Sequence, residues 1–171
     1  WNGYRRYDFE YNNHSSTIVC PDSVAEGRPW IWRPAFFGAF PSVDKALLKE
    51  GFHVVYHDMT HRYGSPQAIK EGEAFYNYMV STYGLSTKVT LEGFSRGGYY
   101  ALNWAIAHPD KVACIYLDNP VCNLFSWPGR KREELWNGFL KEWGITSADA
   151  STFKGNPLNN LEPLARQRVP M

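Results

Sequence analysis

Long apolar runs are missing from this 171-residue chain. No stretch approaches the roughly 20 consecutive apolar residues that span a bilayer, so no membrane span is expected. Charge of one sign is missing too. Eighteen basic and 17 acidic residues leave a net charge of +1. With no basic stripe for phosphates, this balance argues against nucleic acid as the main partner. Cysteine is scarce and odd in number: Cys20, Cys114 and Cys122. Cys114 falls in a predicted buried strand, where it reads as a small hydrophobe and not as a disulfide partner. No set of residues has metal-ligand spacing, so neither a metal nor an organic cofactor is expected. Internal repeats and low-complexity segments are also lacking. The chain starts at Trp1 without an initiator methionine or signal sequence. We read this as removal of upstream residues. A secretory leader is one explanation, and it favours a secreted or periplasmic location.

What is present describes one folded domain with room for a sizeable core: 44% hydrophobic and 20% charged residues. Aromatic residues reach 16%, with seven tryptophans. Core packing is the ordinary role of any one ring. Trp30, Trp32, Phe36, Phe37 and Phe40 nevertheless precede or follow a strand end, and Trp127, Trp136 and Trp143 lie in a later segment. Exposed rings at those places would form a rim suited to the flat apolar faces of sugars.

Periodicity orders the elements. Tyr4 to Val19 alternates and turns at Asn12-Asn13, the pattern of a hairpin. Short apolar strands are expected at Trp30–Trp32, Phe52–Tyr56, Lys88–Glu92 and Val112–Leu117. Between them, helical spacing predicts a helix capped by Ser42 and ended by Gly51, one from Pro66 to Tyr83, and one from Arg96 to His108. Strands and helices in this alternation imply a parallel sheet covered on both faces, with the strand C-terminal ends along one edge. After Asp118 no strand is expected. Leu135, Trp136, Phe139, Leu140 and Trp143 mark an amphipathic helix, a short capped helix follows near Ser147, and Gly155-Asn156-Pro157 forms a loop. Residues 1–118 therefore read as a core and 119–170 as a helical cap over the strand ends.

The chemistry concentrates in Gly93-Phe94-Ser95-Arg96-Gly97-Gly98, between a predicted strand and a predicted helix. Serine flanked two residues away on each side by glycine is the nucleophile-elbow pattern. The turn is so tight that a Cβ at 93 or 97 is expected to collide with a neighbouring element, and the strained serine lifts its Oγ off the sheet. The helix N-terminus beside it favours a developing oxyanion. The plain alternative is an ordinary turn with Ser95 as a helix N-cap.

On these residues the chain resembles the α/β-hydrolase superfamily, in its esterase and acyl-hydrolase branches. Trp32 to Gly38 and the strand end Tyr56-His57-Asp58 add to the likeness. The resemblance implies a three-layer αβα fold with a mostly parallel sheet. It implies Ser95 as nucleophile and an oxyanion hole made by the N–H of Arg96 and that of Ala35 or Phe36. Pro34 has no N–H to offer, and Arg33-Pro34 stands where the family usually carries His-Gly. Asp118 ends the strand after the elbow, where some members place their acid, although a structural role, capping the segment that follows through its carboxylate, takes precedence. Arg33, Phe37, His57 and Trp127 are expected to line the substrate pocket. Arg33 and Arg96 could clamp a carboxylate, as on a uronic-acid ester. The blander reading, in which each braces a loop through Glu92 or Asp58, takes precedence.

The family's general base is a histidine late in the chain, but only His108 follows Ser95. It lies at the far end of the elbow's own helix, roughly 20 Å away. The base, and with it the acid, is therefore expected outside this sequence, with Arg168 to Met171 leading toward a further core strand. The expected activity is hydrolysis of a carboxylic ester on a small molecule or a saccharide. The alternative is a non-catalytic ligand- or carbohydrate-binding protein on a decayed hydrolase scaffold.

Overall fold

The computed structural model describes residues 1–171. Strands β1 (Arg5–Tyr11) and β2 (His14–Cys20) form the expected antiparallel hairpin. Its two turn residues, Asn12 (φ 49°) and Asn13 (φ 62°), are both left-handed. A two-residue hairpin turn matches the strand twist only with positive φ at both positions, which asparagine tolerates. Three strand–helix repeats follow: β3 (Trp30–Arg33), α1 (Ser42–Lys49), β4 (His53–His57), α2 (Pro66–Tyr83), β5 (Val89–Phe94), α3 (Gly97–Ala107) and β6 (Val112–Asp118). The six-stranded sheet runs β1-β2-β4-β3-β5-β6, with β4, β3, β5 and β6 mutually parallel.

This order creates a switch point. From β3 the chain moves outward to β4, then returns past β3 to lay down β5 on its other side. The loops after β3 and β5 thus leave adjacent strands and diverge, opening a crevice at the strand ends where α/β folds bind ligands.

Helices α2 and α3 cover one face. Their core joins Phe75, Met79 and Trp104 to Trp30, Trp32, Val89 and Leu91. Trp30 and Trp32 are 0% exposed and stack in this core, so they are not rim residues as their position suggested. In a strand buried on both faces every side chain points into a layer. Helix α1 covers the other face, where Leu48 packs on Val19, Ile31 and Val54.

The termini of α2 are as expected. Ser65 accepts from the Ala68 N–H, Pro66 opens the helix, and Gly84 closes it at φ 63°. In α1, Ser42 is already the first helical residue and caps nothing, because Pro41 occupies the preceding position. Strand β6 departs from the expected burial. It is an edge strand whose Ala113 and Tyr116 are exposed, and Cys114 is half-buried with Sγ 3.5 Å from Thr90 Oγ1.

Beyond β6, α4 (Glu133–Trp143) buries Trp136, Phe139 and Leu140 against Tyr63, Tyr99 and Leu124. A 3₁₀ turn at Asp149–Thr152 replaces the short helix expected near Ser147, and Asp149 accepts from the Thr146 N–H and hydroxyl. Asn156 fastens the segment by accepting from the Leu124 N–H and the Tyr99 hydroxyl. After α5 (Glu162–Arg166), the Pro170 carbonyl accepts from the Ile115 N–H at 2.9 Å. Residue 170 thus lies along the open edge of β6.

His57 is completely buried, stacked 3.9 Å from Phe75 with Nδ1 2.8 Å from Ser16 Oγ. It was expected to line the pocket, but it faces the α2 layer, because alternate side chains of β4 point to opposite faces. Burial holds its imidazole neutral, driving its pKa from 6.5 down to about 3. The unfolded chain therefore binds one more proton below pH 6.5, and stability due to His57 falls as pH falls through that value. Replacing it with glutamine, which cannot take up that proton, is expected to flatten this acid limb. The difference in unfolding free energy between wild type and His57→Gln should shrink from pH 7.5 to pH 5 in urea titrations.

Candidate active site

Ser95 sits directly after β5 with φ 51°, in the left-handed region that L-residues avoid at a cost of roughly 1–2 kcal/mol. Three backbone hydrogen bonds hold it there. Its N–H donates to the Asp118 carbonyl (3.0 Å), and its carbonyl accepts from Val121 (2.8 Å) and Gly98 (3.0 Å). It is not a helix N-cap, since that position belongs to Arg96. The Asp118 carboxylate is half-buried at the end of β6, and the residue's demonstrated contact with the elbow is through its backbone.

The glycines divide the steric work differently from expectation. A Cβ on Gly93 would lie 2.6 Å from Leu117 Cδ2 and 2.8 Å from Gly98 Cα. One on Gly98 would lie 2.5 Å from Pro120 Cβ. At Gly97 the nearest atom would be Ala35 Cβ at 3.2 Å, so the collision expected there is only a tight contact. That closeness is informative, because it puts the loop after β3 against the first turn of α3. The Ala35 nitrogen would be 3.8 Å from the same Cβ. The N–H groups of Ala35, Phe36 and Arg96 donate to no backbone acceptor. Three free amide donors thus belong to the two loops that meet beside Ser95.

The loop after β3 is anchored by Arg33. This side chain is 1% exposed and ion-paired to Asp44 of α1 and, at 3.3 Å, to Glu92 of β5. Its Nη2 also donates to the carbonyls of Ala39 (2.8 Å) and Phe36 (3.2 Å). Arg33 therefore touches no ligand space; it braces the loop, and the substrate-clamp expectation is corrected. Asp44, which sequence reasoning missed, is its closest partner, and only its place in the first turn of a helix following the arginine hints at that. Burial first, then the Asp44 carboxylate, pushes Glu92 up to about 8, with Arg33 opposing.

Aromatic rings gather on the two loops. Phe36 (φ 56°) packs edge-on against Phe94, and Phe40 also packs on Phe94, with ring centroids 5.3 Å apart. Phe40 is 73% exposed. Phe37 points elsewhere, onto Trp1 and Tyr56, so it leaves this group. Phe94 itself was not singled out, being only the variable position of the elbow pattern. Trp127 does come to the site: the Arg96 guanidinium lies 5.3 Å from its ring and 5.2 Å from that of Phe36. Trp136 is buried beneath α4, and Trp143 donates to the Tyr63 carbonyl.

No histidine bonds to Ser95. His14 faces Glu71, His57 faces Ser16, His108 faces Glu73, and His61 Nδ1 is 3.3 Å from Arg96 Nη1. His53 is buried in β4, its pKa lowered first by burial. No cluster of His, Cys, Asp or Glu could hold a metal ion.

A strained serine between β5 and α3, with a meeting loop of free amides, is the framework of one enzyme superfamily. The family model for the alpha/beta hydrolase fold matches residues 33–162. The chain belongs to the α/β-hydrolase family. Among solved structures it is similar to an acetyl xylan esterase from Aspergillus awamori, at 16% identity and TM-score 0.53 over 65% of this chain and 50% of that one. It also resembles a puromycin hydrolase at 16% identity and TM-score 0.65, covering 94% of this chain and 29% of that one. A prolyl endopeptidase aligns at 14% identity and TM-score 0.64, over 92% of this chain and 27% of that one. The chain thus spans half the length of the first and under a third of the other two. No curated protein sequence matches it.

Two substitutions probe this framework by urea unfolding. Gly98→Ala is expected to cost about 1–3 kcal/mol by overpacking against Pro120, and Gly97→Ala distinctly less. Arg33→Met leaves buried carboxylates without their cation and is expected to cost about 3–5 kcal/mol.

Proposed function

We propose that the protein is a serine hydrolase acting on carboxylic esters, with Ser95 as nucleophile. The observation that carries this is a serine held at φ 51° by hydrogen bonds to its own backbone, beside free amide N–H groups. Strain in a non-glycine residue persists only where its surroundings enforce it, and such residues cluster at reactive sites. In this reading Ser95 Oγ attacks the acyl carbon. The N–H of Arg96 and that of Ala35 or Phe36 receive the oxyanion, helped by the positive end of α3. The acyl-enzyme is then released by water.

In this reading the proton from Oγ goes to a histidine outside these 171 residues, since none within them is bonded to Ser95. Asp118, at the end of β6, is the candidate for the acid that would orient that imidazole. Residues 119–170 act as a cap in this proposal, contributing Trp127 to the substrate side. The rings of Phe36, Phe40, Phe94 and Trp127 favour a substrate with flat apolar faces, such as an acylated saccharide. The likeness to an acetyl xylan esterase points the same way.

Treatment of the full-length protein with a fluorophosphonate probe is expected to label it stoichiometrically at Ser95. Ser95→Ala should abolish labelling and lower hydrolysis of p-nitrophenyl acetate by roughly 10³-fold or more. Folded wild-type protein that takes up no probe would instead support a binding protein on a hydrolase scaffold.

A further inference from the structure

Three arginines of this chain are not fully exposed: Arg33, Arg62 and Arg96. Guanidinium groups taken partly out of water need an anion, and the first two have one. Arg33 pairs with Asp44 and Glu92, and Arg62 pairs with Glu71 and Glu142. Arg96 has no carboxylate within ion-pair distance. Its Nη1 lies 3.3 Å from His61 Nδ1, the Tyr63 hydroxyl also faces it, and its remaining contacts are the ring faces of Phe36 and Trp127.

Two rings flanking one guanidinium stabilise the cation, and its N–H groups meet only neighbours that carry no carboxylate, His61 Nδ1 and the Tyr63 hydroxyl, so no fixed carboxylate occupies its donor fork. A planar donor fork held in this way suits two-point recognition of a carboxylate. Its location is specific as well. Arg96 follows Ser95 directly, and both flanking rings come from loops at the strand ends, Phe36 after β3 and Trp127 after β6. Arg33 braces its loop through two acids and two carbonyls, whereas Arg96 reaches no acid and no carbonyl and touches only the His61 ring nitrogen and the Tyr63 hydroxyl besides the two rings.

We propose that the Arg96 side chain is the specificity determinant for a carboxylate carried by the substrate close to its scissile bond. The substrate class is then an ester of an acidic compound, and an O-acylated uronic acid combines the anion with the sugar face that the rings accommodate. This rests on the ester-hydrolase reading for the reaction but not for the binding, which allows the two to be tested separately.

For the reaction, the full-length protein is assayed on two matched acetyl esters, an O-acetylated methyl glucuronoside and the corresponding O-acetylated methyl glucoside. The wild type is expected to prefer the carboxylate-bearing ester in kcat/KM by roughly 10- to 100-fold, the scale of a charge-assisted bidentate pair. Arg96→Met should erase the ratio, chiefly through KM, and Arg96→Lys should restore part of it. The ratio is the readout, because the Arg96 backbone also belongs to the proposed oxyanion hole. For binding, saturation-transfer NMR on Ser95→Ala compares methyl glucuronoside with methyl glucoside. Selective saturation of the glucuronoside, lost in the double variant with Arg96→Met, is expected. Equal binding of both sugars, or a ratio near one in active wild-type enzyme, would overturn the carboxylate assignment while leaving the hydrolase standing. Selective uronate binding by a wild type that takes up no fluorophosphonate would leave Arg96 assigned and defeat the hydrolase reading alone.

Discussion

One buried guanidinium ties the working parts of this fold together. Arg33 leaves the end of β3 and meets Asp44 on α1, Glu92 on β5, and the carbonyls of Phe36 and Ala39 in its own loop. Burying a charge costs several kcal/mol unless partners surround it, so the group is stable only in a narrow arrangement. That arrangement dictates where the loop after β3 sits against the end of β5. Two carboxylates facing one cation in a dry layer also explain why burial and Asp44 push Glu92 up to about 8. A network of this kind adds little net stability over an apolar core, but it tolerates few alternatives in geometry.

The elbow depends on that geometry from the other side. Ser95 is locked by the last residue of β6, Asp118, and by Val121 in the loop that follows, while Gly97 receives the tip of the Arg33 loop at Ala35. The reactive turn is thus clamped between two neighbouring strands' loops, an arrangement available only where the winding of the sheet reverses. Glycine at 93 and 98 permits the approach of Leu117 and Pro120, and glycine at 97 leaves room for the loop that carries the free amides.

Much of the architecture was legible in the chain. Hairpin asparagines, the ends of α2, the alternation of short apolar strands with amphipathic helices, and the elbow itself are local signals. Each is written in residues adjacent in sequence, which is why they survive into the structure with little displacement. The failures are equally coherent. Ser42 was displaced from its cap by the preceding proline, and β6 looked buried because its composition is apolar although it borders the sheet. Strand-end residues such as Trp32 and His57 have rim positions in sequence but are buried, since a one-residue change of position along a strand exchanges one face for the other.

The two arginines state the division best. Arg33 and Arg96 look alike in sequence, the first a cation at the end of β3 and the second a cation two residues past the end of β5. Sequence alone determined that both would stand at strand ends on the edge that carries the elbow, because strand ends and the elbow are encoded locally. Only the tertiary structure decided that Arg33 would be sealed between two acids and Arg96 left between two rings without a carboxylate partner. Partners of a long side chain come from elements distant in the chain, here α1 and β5 for one and the loops after β3 and β6 for the other. No local pattern specifies which distant elements will meet, since that is settled by the order in which the strands assemble into the sheet.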